Sequence, residues 1–131
     1  MIGGKRKYEH ITPMRKSLHW LPVRSRCMFK VLTLIYKHLS FGTPAYLSSY
    51  LKPYTSYANT RSADQNKRLL AVPAFKSRKF SYVSKRRFDH SFMFCGPTWW
   101  NKLPLEIRTA STLGVFRRKL KTYLFDLAYP P

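Results

Sequence analysis

The chain has 131 residues and a formal net charge of +20, because 25 Lys and Arg face only 5 Asp and Glu. Aromatic residues make up 16% of it, which excludes a disordered basic tail, since such tails are poor in aromatic side chains. The few carboxylates also exclude an enzyme built on several acidic groups. Because so large a charge opposes compaction, we expect a polyanionic partner, with nucleic acid as the first candidate and an anionic membrane as the second.

The cysteines and the N-terminal residues indicate the compartment. Cys27 and Cys95 lie far apart, unlike the cysteines of a secreted disulfide framework. The basic run at 5–7 is followed by Tyr8-Glu9-His10 and not by an apolar segment, so no signal peptide is predicted. The longest apolar run, 31–36, is far shorter than the ~20 residues of a membrane span. We therefore expect a reduced intracellular protein, in the nucleus and/or cytoplasm, with no membrane association.

The N-terminal part of the chain is predicted to be helical after a flexible start. Residues 1–11 are basic and contain glycine, so we expect a flexible N-terminus. The segment 12–51 is predicted to hold helices. The first begins at Thr12-Pro13, because Thr can cap a helix and Pro suits the first helical position. It should end before Pro22, which disfavours helical backbone at the residue that precedes it.

The second helix has the clearest pattern in the sequence. Apolar residues recur at three- and four-residue spacing, which predicts one buried stripe. The stripe consists of Cys27, Met28, Val31, Leu32, Ile35, Tyr36 and Leu39. Gly42 is a plausible C-terminal stop. Thr43-Pro44 then repeats the start signal and predicts a short third helix that ends before Pro53.

The middle of the chain loses helical periodicity. Polar residues dominate 52–68, which we interpret as a loop of about fifteen residues, long enough in a compact domain to suggest function or mobility. The segment 69–96 is predicted to hold mixed short strands. The predicted strands are Leu69–Val72, Phe80–Val83 and Ser91–Phe94, the last broken by Cys95-Gly96-Pro97.

The segment 97–128 is predicted to be helical again. One or two turns from Pro97 to Leu103 should carry two adjacent tryptophans, and Ser111 or Thr112 should cap the final helix. The apolar stripe of that helix consists of Leu113, Phe116, Leu120, Leu124 and Leu127. The predicted fold class is therefore mainly α with a few short β-strands (α+β), in one small domain or domain fragment.

Catalytic and metal-binding signatures are missing from the sequence. No nucleophile elbow supports a Ser-His-Asp site. Cys27 lies in the apolar stripe and is expected in the core, and no Cys-x-x-Cys or His-x(3–5)-His spacing supports zinc. Gly3-Gly4 is isolated and makes no phosphate-binding loop. We expect no catalytic residue, no metal and no cofactor.

Clusters of cations interleaved with aromatic residues point to nucleic acid. Cations contact phosphates and release counter-ions, and aromatic rings stack on unpaired bases. In 76–88 cations alternate with aromatic residues. This pattern fits nucleic-acid binding, and it also fits a strand with solvated cations outside and aromatic rings inside, so both interpretations stay open. The candidate nucleic-acid-binding residues are Lys76, Arg78, Lys79, Lys85, Arg86, Arg87, Arg117, Arg118 and Lys121, with Phe80, Tyr82 and Trp99 as stacking candidates.

The three tryptophans are expected to differ in exposure. Trp20 is assigned to core or interdomain packing. Trp99 and Trp100 are adjacent and must point in different directions in any regular element. We expect one of this pair to be buried and the other to be available for a partner or a base.

The order of several motifs resembles a known family. The chain is similar, from about residue 10 to 128, to the region after the reverse transcriptase domain in LINE-type (non-LTR) retrotransposon polyproteins of the jockey-like group. The motifs in order are His10–Pro13, Ser17–Val23 (SLHWLPV), Phe29–Val31, Tyr36-Lys37, Pro44–Leu47, Arg61-Ser62, Leu70–Pro73, Trp100–Pro104 (WNKLP), Ile107-Arg108 and Phe116–Phe125.

This resemblance implies a C-terminal piece of a retroelement polyprotein. The polymerase aspartates have no counterpart, since no Asp-Asp pair occurs in the sequence, so neither polymerase nor endonuclease activity carries over. The implied role is to bind RNA or single-stranded DNA, with the missing polymerase domain as a further partner. Two alternatives stay open: a packing module that braces the polymerase thumb, and a free-standing basic protein of ribosomal or chromatin type.

Overall fold

The computed structural model describes residues 10–55, 68–75 and 85–131, and its elements there are helical. They are α1 (Thr12–Ser17), α2 (Val23–Phe41), a 3₁₀ helix (Ala45–Ser49), α3 (Lys85–Asp89), α4 (Phe92–Lys102), α5 (Leu105–Arg108) and α6 (Leu113–Ala128). The mainly helical fold is thus confirmed. The expected short strands do not occur in the described residues, where pairing is limited to one antiparallel bridge between Pro53 and Leu70. Phe80–Val83 lies outside the described ranges.

The long helices α2 and α6 form the centre of the domain. The Tyr36 ring of α2 stacks on Phe116 of α6 with centroids 4.3 Å apart, and the Tyr36 hydroxyl donates to the Ala110 carbonyl at 2.7 Å. The two apolar stripes meet because burying them removes both from water. The buried stripe residues are Leu32, Ile35, Tyr36, Phe116, Leu120 and Leu124.

The ends of these helices follow the sequence signals. Gly42 ends α2 in the left-handed conformation (φ +68°), and its N–H donates to the His38 carbonyl at 2.8 Å. Glycine fits there because it has no Cβ to clash. Of the two predicted caps for α6, Thr112 is the one used: its hydroxyl accepts from the Val115 N–H at 3.3 Å.

The prediction of a strand at Ser91–Phe94, broken at Cys95-Gly96-Pro97, is wrong. These residues belong to the start and middle of α4, with Pro97 inside the helix. Phe92, Gly96 and Trp100 lie four residues apart on one helical face, and a Cβ on Gly96 would lie 3.2 Å from Ile35 Cδ1. Gly96 therefore permits close packing of α4 on α2, and its lack of Cβ also relieves the usual clash before proline.

The segment 68–75 is held in place by the end of α4. The Trp100 indole N–H donates to the Arg68 carbonyl at 2.7 Å. The Asn101 side chain accepts from the Leu70 N–H at 2.9 Å and donates to the Leu70 carbonyl at 2.7 Å. On the other side, Ala71 N–H donates to the Lys52 carbonyl at 2.8 Å. The Asn101 amide thus pairs with the Leu70 backbone on one side of the segment, and Lys52 pairs with Ala71 on the other.

Two expectations about burial are wrong, and a third is wrong in one of its two alternatives. Cys27 is exposed, because at 3.6 residues per turn it lies about 140° round α2 from Leu32. Trp20 is half exposed, which contradicts the core alternative and leaves interdomain packing as a prediction, and Leu127 is 61% exposed. The apolar stripe of α6 extends past the N-terminal end of α2, because Lys121, six residues before Leu127, already lies beside the first turn of α2. For the tryptophan pair, the expected burial of one member is confirmed, because Trp100 is fully buried; Trp99 is partly buried.

Candidate nucleic-acid interface

The cations at 85–87 lie on α3. Lys85, Arg86 and Arg87 are exposed, whereas Phe88 beside them is 2% exposed and lies 5.6 Å from the Phe94 ring of α4. For 85–88 the strand alternative therefore fails, because the residues form a helix that buries one ring and exposes its cations. The remaining predicted residues of this cluster, Lys76, Arg78, Lys79, Phe80 and Tyr82, lie outside the described residues.

The predicted cations of α6 divide between two faces. Arg117 and Lys121 are exposed and four residues apart, so they share one face of the helix. Arg118 instead lines a different pocket together with Glu106 and Asp126. Lys119 lines this pocket too. Because two carboxylates lie near Arg118, we rank it as the weakest of the three as a phosphate contact.

The face that carries Arg117 and Lys121 borders α2. The Arg117 guanidinium carbon lies 5.8 Å from the centroid of the Phe29 ring, and Lys121 lines the same pocket as Arg26. From the start of α2 toward its end, successive contacts reach Lys121, then Arg117, then Phe116 of α6. The order along α6 is reversed, so the two helices are antiparallel. This pairing places cations of both helices at one surface.

We call this surface the basic face: Arg26 and Lys30 of α2, four residues apart, with Arg117 and Lys121 of α6. All four side chains are exposed. In the described part of the chain they form no ion pair, so their positive potential is not locally neutralised. Groups of like charge that are held near one another attract an anion more strongly than scattered charges do.

Sequence reasoning missed half of the basic face. The spacing of Arg26 and Lys30 on α2 is readable from the sequence, but their neighbours on α6 are about ninety residues away. Only the antiparallel pairing of the helices brings the two pairs together. Trp99, a predicted stacking residue, packs against the hydrophobic core, which leaves less of its ring for a base.

Two other cations serve the fold. Arg68 donates to the Arg108 carbonyl at 3.2 Å and lies over the Tyr36 ring at 5.8 Å. Arg108 is buried, and its Nε donates to the Leu103 carbonyl at 3.1 Å. Burial lowers the pKa of the Arg108 guanidinium, because a charged group is disfavoured away from water. These residues tie the segment around 68 to the C-terminal helices.

Cys95 does not resemble an activated nucleophile. Burial raises the pKa of the Cys95 thiol, and the nearby Asp89 charge adds to the rise while Arg24 opposes it. The Cys95 Sγ donates to the Asp89 carbonyl at 3.0 Å, which also favours the protonated thiol. Among the described residues no three His, Cys, Asp or Glu side chains are grouped to hold a metal, and none of the helices has the length and apolar character to cross a membrane.

Comparison with known proteins gives no relative for this chain. No family model, no curated protein and no solved structure matches it.

Proposed function

We propose that this chain is a catalytically inert module that binds RNA or single-stranded DNA through the basic face. The observation that carries the proposal is that Arg26 lines one pocket with Lys121 and that Arg117 lies over Phe29 where the two antiparallel helices pair. Lys30 lies one turn from Arg26, and none of these four cations has an ion pair to a described carboxylate. A chain of net charge +20 needs such counter-charge, and a phosphate backbone supplies it at regular spacing.

The α3 cations extend the same chemistry. Lys85 and Arg86 lie on an exposed helix whose Phe88 is fixed in the core, so their positions are set by packing. A strand long enough to reach both α3 and the basic face would contact about six cations. For a single strand each neutralised phosphate contributes about −0.7 to the slope of log affinity against log salt, so we expect a slope of roughly −4.

Fluorescence anisotropy across a salt series tests the proposal. The full chain is titrated into a labelled structured RNA, a single-stranded DNA and a duplex. We expect a steep salt dependence on every probe and a preference for RNA or single strands. A flat salt response would contradict the mechanism, and equal affinity for every polyanion would reduce it to general charge attraction.

We also propose that the chain derives from the post-polymerase region of a LINE-type retroelement polyprotein and acts inside the cell, in the nucleus and/or cytoplasm. The support is the ordered set of motifs, and residues of several motifs make specific contacts in the fold. Trp100 and Asn101 of WNKLP hold 68–71 through hydrogen bonds, and Leu120 and Leu124 are fully buried. Polymerase motifs in the genomic frame upstream of Met1 would support this origin. Their absence beside an intact promoter would favour the free-standing basic protein.

A packing module that braces a polymerase thumb is the second candidate, and one observation favours it. An apolar cleft of about 520 Å³ lies between α2, the 3₁₀ helix and the α3–α4 turn. Tyr46 at its edge is 67% exposed, and Tyr50 is also exposed, so the cleft offers a surface for a missing domain. Strong binding of a hydrophobic dye by the isolated chain, with weak binding of nucleic acid, would favour this function over the first.

A further inference from the structure

The turn between α1 and α2 holds a half-exposed tryptophan on a fixed backbone. Trp20 N–H donates to the Arg15 carbonyl at 2.9 Å, and His19 N–H donates to the Lys16 carbonyl at 3.2 Å. These two bonds form a Schellman motif, with His19 in the left-handed position (φ +52°). A histidine there is strained relative to glycine, so the surrounding contacts must hold the turn.

The C-terminal end of α6 supplies those contacts. The His19 ring stacks on Phe125 at 5.3 Å, and the Tyr129 hydroxyl donates to the Trp20 carbonyl at 3.0 Å. Leu21, the next residue, is 8% exposed. The backbone of Trp20 is thus anchored on both sides while 50% of the residue remains exposed. The indole is a rigid apolar ring that the core does not use.

Cations surround this indole. Arg15, Arg26 and Lys121 line a pocket of about 360 Å³ with His19, Trp20 and Leu21. Among the described residues no acidic side chain lines it, and the side chains of the three cations make no hydrogen bond or ion pair there. A cavity of this size is in the range that small ligands occupy. Its lining combines one stacking surface with several donors for an anion.

We propose that this pocket binds one unpaired nucleotide of the nucleic acid, with the base stacked on Trp20 and a flanking phosphate held by Arg15, Arg26 and Lys121. The inference rests on the proposed function and adds the position at which a single strand is distinguished from a duplex. In a duplex the base faces are occupied by their neighbours, so stacking on the indole favours unpaired bases. Lys121 belongs to the basic face as well, so the strand would continue from the pocket along α2 and α6.

The test compares Trp20→Leu with the matched control Phe41→Leu, another exposed aromatic residue (63% exposed) outside the pocket. Both full-length variants are titrated into an unstructured labelled RNA and into its duplex. Base stacking predicts that Trp20→Leu binds the single strand about 5- to 150-fold more weakly, with an unchanged salt slope and unchanged duplex affinity. Trp20→Phe keeps an aromatic face and should recover most of the loss.

A change in the probe makes the test independent of protein folding. An abasic strand keeps every phosphate but removes the bases, so it should bind the unmodified chain more weakly by about the same factor. Trp20→Leu should then distinguish abasic from normal strands far less than the unmodified chain does. Equal affinities of Trp20→Leu and Phe41→Leu for single strands, an equal loss on the duplex, or no abasic effect would each overturn the pocket. Failure of the unmodified chain to bind any probe would instead overturn the proposed function.

Discussion

Asn101 is the residue whose removal most sharply tests the account of the fold. Its side chain makes two hydrogen bonds, at 2.9 and 2.7 Å, to the N–H and carbonyl of Leu70, a residue that is 2% exposed. Asn101→Ala removes both bonds and leaves two partly buried backbone groups without these partners. Each such bond contributes about 0.5–1.5 kcal/mol, and unsatisfied groups cost more. We therefore expect the free energy of unfolding to fall by about 2 to 3 kcal/mol.

Thermal and urea unfolding followed by circular dichroism measure this loss. For a chain of this length 1 kcal/mol corresponds to a change in Tm of about 3 to 5 °C, so the expected decrease is about 6 to 15 °C. Lys102→Ala is the matched control, because Lys102 is the adjacent residue of the same helix and is exposed. If Asn101→Ala lost no more than Lys102→Ala, the two hydrogen bonds would not hold the segment 68–71, and the reasoning would be refuted.

Three further predictions concern the core, a helix end and the thiols. Leu120→Ala should cost about 2–5 kcal/mol, because Leu120 is fully buried, whereas Leu127→Ala should change the urea midpoint little; equal midpoints would contradict the assigned stripe. Gly42→Ala should cost about 1–2 kcal/mol in the same melt, because a Cβ is strained at φ +68°; an unchanged stability would argue against this helix end. Iodoacetamide at neutral pH should alkylate the exposed Cys27 before Cys95, whose pKa burial raises; mass spectrometry of the products would show the reverse order if Cys95 were activated.

The helices could be predicted from the sequence where periodicity and end signals agree. The α2 and α6 stripes, Gly42 and the Thr112 cap all depend on residues within a few positions of one another. The α4 helix could not be predicted from the sequence. Gly96 and Pro97 are local helix breakers, and their role depends on the close approach of Ile35 from a distant helix. Helix propensities include the cost of glycine and proline at these positions, but they do not include the packing against α2 that offsets it.

The candidate site could be predicted only where it depends on residues close together in the sequence. The clusters on α3 and α6 are visible as runs of cations. The basic face is not visible in the sequence, because it needs the antiparallel pairing of α2 with α6. Arg118 points to a different side of α6 from Arg117, where it lines a pocket with Glu106 and Asp126. Trp20 was assigned to core or interdomain packing, since tryptophan is highly buried on average. Its exposure follows from the Schellman turn, which directs the chain after α1.

The central claim is that nucleic acid binds at the basic face and not to the net charge as a whole. Two variants that remove the same charge decide it: Arg117→Gln/Lys121→Gln on the face, and Lys52→Gln/Lys102→Gln at exposed sites away from it. The measurement is the salt slope of single-stranded RNA binding by anisotropy. We expect the first pair to flatten the slope by about 1.4, for two lost phosphate contacts, and the second pair to leave it nearly unchanged. Equal slopes for both variants would contradict a localised interface.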